Sequence, residues 1–468
     1  MTTPRLDEVR PDGVTVETLS GALAAFGVEL ELARVPAPVV AHAKLLLLDT
    51  LGAALAGIDT AEGRAAIAAA REFGGETGPA TVWGTAGRTT RAAAALVNGM
   101  TTHAQELDDF GGCDHSGAVV VPAVLAAAEG HDVSGRRALE AIIVGYDVAL
   151  RVLEAAGGYR AHNGRGWHST GTCGSFGAAA AAAKVLDLDR ERTTWALGLG
   201  GSFTGGLWAF IADGAMAKRY HPGRAAESGV LAACLARAGF TGPTRVFEAD
   251  WGGFLTTYAA GSADPGRITA GLGKDFKILR SGVKPYASCR GAHSTLDVAF
   301  EIRRREGLAA DDVAAVRIRC TEADRLMLGE ADPRTRLAAQ MSLPYSMAVA
   351  WVAGRAGLTE YEERWRGDSR VRAFMPRVRL EVDAALPDGE EPYVTVEARD
   401  GRTFTGHVPF ARGAPENPLS REEVVAKYEE LAGRALPAEG VRVLKQAVFE
   451  LEEPGSLGRL LAALGRPR

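Results

Sequence analysis

The stretch VAAVRIRC, residues 313–320, sets Val316, Ile318 and Cys320 on one side of the chain and Arg317 and Arg319 on the other. A period of two is that of a half-buried strand. Its late position decides the fold, because little before residue 277 alternates in this way. RVRLEV, 377–382, repeats the pattern with Val378, Leu380 and Val382. YVTVEARDGRTFTGHV, 393–408, reads as two further strands joined at Asp400-Gly401, a pair that favours a tight hairpin. Helical patterns near 294–306 and 336–351 supply the cover, so residues 276–412 are expected to form an α+β domain.

Working outward from there, residues from about Val35 to Phe240 read as helix after helix, with alanine-rich runs separated by glycine-containing turns. Ser134 is placed to cap a helix carrying Leu139, Ile142, Ile143, Tyr146 and Leu150 at helical spacing. AKLLLLDTLGAALAGI, 43–58, is interrupted by Lys44 and Asp49 and is too short to span a bilayer, so it reads as a core helix. Beyond Asn417 the chain returns to helix, with Ser420 and Glu423 forming a capping box. The expected fold is therefore mainly α: a helical part over 1–275, the α+β insert over 276–412, and a tail over 413–468 that packs back on the helices.

Composition narrows the function. A chain of 468 residues with 47% hydrophobic and 24% charged residues can bury a large core, and 57 glycines suggest close helix packing. Fifty-three basic against 58 acidic residues give a net charge of −5, which argues against a general nucleic-acid or membrane-surface binder. Cys113, Cys173, Cys234, Cys289 and Cys320 are scattered, with no CxxC pair and no secretory signal, as expected of reduced thiols in a cytoplasmic protein.

Four stretches carry chemistry. In HAQELDDFGGCDHSGAVVVPA, 103–123, a helix from about Arg91 to the glycines at 111 and 112 would set His103 and Glu106 on one face, with Phe110 further along, and a glycine loop could fold His115 back over Glu106. An acid–base cluster competes here with a solvated acidic helix end. The stretch has one HxxE but neither HExxH nor a second matching half, so no dinuclear metal bundle is predicted. GWHSTGTCGSFGAAAAAAK, 166–184, opens a helix with glycines suited to tight packing and places His168 just ahead of it. AKRYHPGRAAESG, 217–229, gathers Lys218, Arg219, His221 and Arg224 around a proline-initiated helix, as a carboxylate site or as surface charge. KPYASCRGAHSTLDVAF, 284–300, holds Lys284, Arg290 and His293 where the composition changes, and domain junctions are where clefts form.

In order and spacing, these stretches and the segments GYDVALRV and AKRYHPGRAAESGVLAACLARAGFTGP resemble the MmgE/PrpD family, whose members include 2-methylcitrate dehydratase, cis-aconitate decarboxylase and iminodisuccinate epimerase. The resemblance implies a helical domain with an inserted α+β lid, a homodimer, a site in the cleft between domains, and no metal or organic cofactor. It assigns catalytic roles to His115, Lys218 and His293; the chemistry of the residues adds Glu106 to the acid–base set and His103, Asp109, Phe110, His168, His221, Arg224 and Arg290 as expected contacts of a small polycarboxylate. In the decarboxylase branch an Asp stands where Glu106 is and a Thr where Phe110 is, so a substrate other than cis-aconitate is expected. Such enzymes move a proton at a carbon beside a carboxylate, which calls for a cation on the carboxylate and a positioned acid–base pair. Dehydration is the first expectation and decarboxylation the second. The rivals are epimerisation, metal-assisted hydrolysis and a non-catalytic carboxylate-binding protein.

Overall fold

The computed structural model describes residues 18–387 and 389–465. The expectation that no secretory leader is present falls on the first 17 residues, which lie outside the described ones. The chain is mainly helical, with a small sheet late in the sequence. The helices that matter for the site are α1 (Ala37–Gly57), α2 (Arg91–His103), α3 (Gly117–Ala128), α4 (Gly135–Ala155), α5 (Gly174–Val185) and α6 (Ala217–Arg237).

Helix α1 starts behind Pro36 and so extends further back than the apolar run from Ala43 suggests. Its 21 residues are long and apolar enough to cross a membrane, but 72% of its most apolar window is buried in protein. Ser134 caps α4 as expected, its hydroxyl accepting from the Arg137 N–H at 3.1 Å. The helices approach closely where side chains are missing. A Cβ on Gly145 would lie 2.5 Å from Val120 Cγ1, and one on Gly177 would lie 2.5 Å from the Gly145 carbonyl oxygen. The glycine-rich stretch before α5 thus serves helix packing.

Two helix boundaries differ from expectation. Helix α2 ends at His103, well before Gly111-Gly112. Helix α6 begins at Ala217, so Pro222 lies inside it and does not initiate it. A proline this early costs only the backbone bond to the Lys218 carbonyl, and packing on both sides offsets the loss.

The lid holds a four-stranded sheet in which β1 (Val313–Cys320), β2 (Val378–Val382), β3 (Tyr393–Ala398) and β4 (Thr403–Gly406) stand in the order β2-β1-β3-β4. Strands β1 and β2 are parallel, with Val316 opposite Val378, while β3 is antiparallel to β1 and to β4. Val316, Ile318 and Cys320 are fully buried, as the alternation requires. On the edge strand β2 the alternation fades, and Val382 is exposed. The chain turns between β3 and β4 at Asp400-Gly401, where Gly401 has φ +87°. Helices α7 (His293–Glu306), α8 (Glu322–Leu328) and α9 (Leu343–Ala353) complete the lid. The expected helix over 336–351 is split into Arg336–Gln340 and α9, because Ser342 caps a new helix whose second residue is Pro344.

One apolar core runs through the N-terminal helices and continues into the tail at Val424, Tyr428, Leu444 and Leu460, while a second lies mainly within 287–398. Helix α10 (Arg421–Ala432) anchors the tail: its capping box forms as expected, and its Lys427 reaches the buried Asp49 of α1 at 2.6 Å. The same ammonium donates to the Leu107 carbonyl at 2.6 Å, inside the stretch that follows α2. Replacing Lys427 by Met strands the Asp49 carboxylate in the core. The expected destabilisation is about 3–5 kcal/mol, read as a lowered denaturation midpoint; an unchanged midpoint would show that this pair does not hold the tail.

Candidate active site

The segment from Ala104 to Ser116 bends sharply between α2 and α3. Glu106 and Asp114 take φ +54° and +99°, two of three non-glycine residues with positive φ among the described residues, and Gly111 and Gly112 take +79° and +52°. Each such non-glycine residue costs on the order of 1–3 kcal/mol, a strain that persists only where the surroundings fix it. Fixation comes from distant parts of the chain. Phe110–Gly111 pairs with Ser281–Gly282 as a short antiparallel ladder, and Gln340 Nε2 donates to the Gln105 carbonyl at 2.8 Å.

The result is a fully buried carboxylate surrounded by cations. Glu106 Oε1 lies 2.5 Å from Lys218 Nζ and 3.2 Å from Lys284 Nζ, and Oε2 is ion-paired to Arg219. Burial alone would raise the Glu106 carboxyl, but Lys218, Lys284 and Arg219 outweigh it and hold it well below the usual carboxylate range. Glu106 is thus a fixed anion, and the expectation that it shares acid–base work with His115 is corrected. His115 does fold back over it, with Nε2 at 3.9 Å from Oε1.

His115 is placed to carry a proton. Its Nδ1 lies 3.0 Å from the Asp109 carbonyl oxygen and 3.1 Å from Asp108 Oδ2, and its Nε2 lies 3.6 Å from Asp114 Oδ1. Burial pushes His115 down, but the carboxylates of Asp114 and Asp108 push it further up, so the net shift is upward. Behind it, His103 Nδ1 donates to Asp108 at 2.9 Å and stays neutral, burial holding it well below the ordinary histidine value. His168 Nε2 lies 3.2 Å from Asp114 Oδ2, and His168 Nδ1 contacts His221 Nδ1 at 2.8 Å. Burial lowers both, His221 to about 3.

Donor atoms of His103, Asp108 and His115, and of Asp114, His115 and His168, converge as two triplets of the kind that can hold a metal ion. His115 belongs to both and is drawn toward its protonated form, in which it has no lone pair to offer. The carboxylates between the imidazoles already accept from them. These triplets fit shared protons better than a cation.

Glu106, His115, Asp114, Lys218 and Lys284 line the inner end of a cavity of about 750 Å³ that opens between the helical part and the lid. Phe110 and Arg290 also line it, the guanidinium lying 5.6 Å from the ring centroid and pairing with Glu391. The other expected site residues stand back from the cavity. His293 is fully buried edge-on to Phe110, and burial with Lys284 and Arg290 nearby keeps it neutral. His103, His168 and His221 support the groups in front of them. Asp109 is corrected from substrate contact to a structural role: its carboxyl accepts from the Gly117 N–H at 3.0 Å and the Tyr146 hydroxyl at 2.9 Å, and burial beside Asp108 raises it to about 8. Arg224 is corrected too, since it points away and pairs with Glu227 at 2.7 Å. Lys284 and Arg219 were legible only as members of cationic stretches, while Asp108 and Asp114 carried no signal beyond their neighbours.

Family models for the MmgE/PrpD N-terminal domain and the MmgE/PrpD C-terminal domain match residues 21–265 and 286–453. The chain belongs to the MmgE/PrpD family. A cis-aconitate decarboxylase-like protein of Aspergillus oryzae is 30% identical over 93% of this chain and 95% of its own. A cis-aconitate decarboxylase of Aspergillus terreus is 29% identical over 100% and 99%, and the human cis-aconitate decarboxylase 28% over 89% and 88%. Within this MmgE/PrpD site the titration of His115 has a definite sign. Its ordinary value of 6.5 is raised by folding, so its contribution to stability is complete below that pH and is lost as pH rises through the elevated value. Unfolding midpoints of the wild type and His115→Gln should therefore converge toward alkaline pH; a gap that widens instead would contradict the assignment.

Proposed function

We propose that the protein is a lyase that decarboxylates a small unsaturated di- or tricarboxylate. The observation that carries this reading is the convergence of three groups on one oxygen: Lys218 Nζ, Lys284 Nζ and His115 Nε2 lie 2.5, 3.2 and 3.9 Å from Glu106 Oε1, at the inner end of the cavity. With Arg219, three cations face one carboxylate, leaving a surplus of positive charge toward the cavity. That surplus suits an anionic substrate and the charge that builds beside its carboxylate.

The step balances with these groups alone. The bond between the departing carboxylate and its carbon breaks, releasing carbon dioxide. Its electron pair moves across the double bond to a carbon beside a second carboxylate, which Lys218 and Lys284 hold. His115 Nε2 delivers one proton to that carbon and is reprotonated from water. Asp108 and Asp114 keep His115 in its acid form before the step.

Decarboxylation is favoured over dehydration because dehydration needs both a base for the carbon acid and an acid for the leaving hydroxyl. Glu106 is held ionised by its three cations, while Asp108 and Asp114 draw His115 toward its protonated form, so among the described cavity-lining residues His115 is the group placed to give a proton. One proton donor matches a reaction that consumes one proton. The relatives, cis-aconitate decarboxylases and a decarboxylase-like protein, support the same reading.

Proton NMR in D₂O with cis-aconitate and substituted analogues tests it. Expected are carbon dioxide release and one deuterium in the product, with His115→Gln lowering kcat by roughly 10²–10⁴-fold and Lys218→Ala abolishing turnover. Water loss from a hydroxy acid with no carbon dioxide, or full activity in either variant, would overturn it.

A further inference from the structure

The cavity changes character along its length. Its inner end is ionic, while further out apolar side chains stand among the charged ones: Tyr159, Trp208 and Ile211 line the helical side beside Arg160, and Ala323, Leu326 and Met327 the lid side beside Asp324 and Glu390. The lid residues fall at i, i+3 and i+4 on α8, which sets them on one face of that helix. The next residue, Leu328, is fully buried in the lid core, so α8 already has its anchor. Leu326 remains 65% exposed at the cavity wall. An apolar stripe turned to a cavity contributes little to folding, and such surface marks a binding site. Across the cavity, Trp208 Nε1 donates to Asn163 Oδ1 at 2.8 Å, so its polar atom is satisfied and the ring is left to meet carbon.

Size points the same way. A six-carbon tricarboxylate displaces about six waters, roughly 180 Å³ at ~30 Å³ each, whereas the cavity measures about 750 Å³. Tyr159, Trp208, Ile211, Leu326 and Met327 supply apolar surface to the remaining space. Phe110 also lines the cavity, and Arg290, which lies over its ring, is already paired with Glu391.

We infer that the substrate is a di- or tricarboxylate bearing an apolar substituent, an alkyl chain or aryl group, whose carboxylates sit at Lys218 and Lys284 and whose substituent lies between Trp208 and the Leu326–Met327 face of α8. This rests on the carboxylate-lyase reading of the inner end and adds what fills the outer one.

Binding tests it without turnover. Calorimetry with succinate, butylsuccinate, hexylsuccinate and octylsuccinate should show affinity rising with chain length, by up to about fourfold per methylene. Leu326→Ser, a change at an exposed position, should flatten that rise. If succinate binds and the longer chains bind within twofold of it, the substituent site is wrong and the carboxylate reading stands. A rise that persists unchanged in Leu326→Ser is adsorption elsewhere and also overturns the site. If neither succinate nor its alkyl derivatives bind, the carboxylate reading fails and this inference falls with it.

Discussion

The site depends on one buried carboxylate. Glu106 holds Lys218 and Arg219 from one helix and Lys284 from the entrance to the lid, so the ionic cluster that prepares the cavity for an anion also ties the two parts of the chain together. A lone buried anion, or three buried cations, would be costly to desolvate. Together they offset much of that cost, and removing one partner from such a cluster costs about 3–5 kcal/mol. The strained turn at Glu106 accompanies this: α2 ends at His103, and the chain turns with a positive φ where the carboxylate meets all three cations.

Fixing Glu106 as an anion assigns the remaining work. A carboxylate stabilised by three cations is a poor proton carrier, while a histidine flanked by Asp108 and Asp114 is a good one. His103, His168 and His221 are held neutral by burial and supply hydrogen bonds to those two aspartates or to one another. The arrangement separates charge from proton: lysines meet the carboxylate, and His115 meets the carbon.

The strands and caps were legible because their causes are local. Val316, Ile318 and Cys320 alternate since one face of β1 is buried, and Ser134 and Ser420 cap helices through residues three positions away. The end of α2 was not legible, because the turn that follows it is held at Glu106 by Lys218 and Lys284, 112 and 178 residues distant. Arg224 failed for a geometric reason: at about 100° per residue it lies roughly 240° around α6 from Lys218, on another face. His293, expected to be catalytic, is buried edge-on to Phe110 and does not line the cavity, which its position before a helix could not reveal. The shift from a solvated helix end to a buried ionic centre is a tertiary fact that spacing alone could not supply.

The most direct measurement is a crystal structure with tricarballylate, a saturated tricarboxylate that cannot decarboxylate by the proposed route. The account predicts one of its carboxylates within hydrogen-bond distance of both Lys218 Nζ and Lys284 Nζ, with a carbon facing His115 Nε2. A ligand bound outside the cavity, or seated with its carboxylates away from the two lysines, would contradict it.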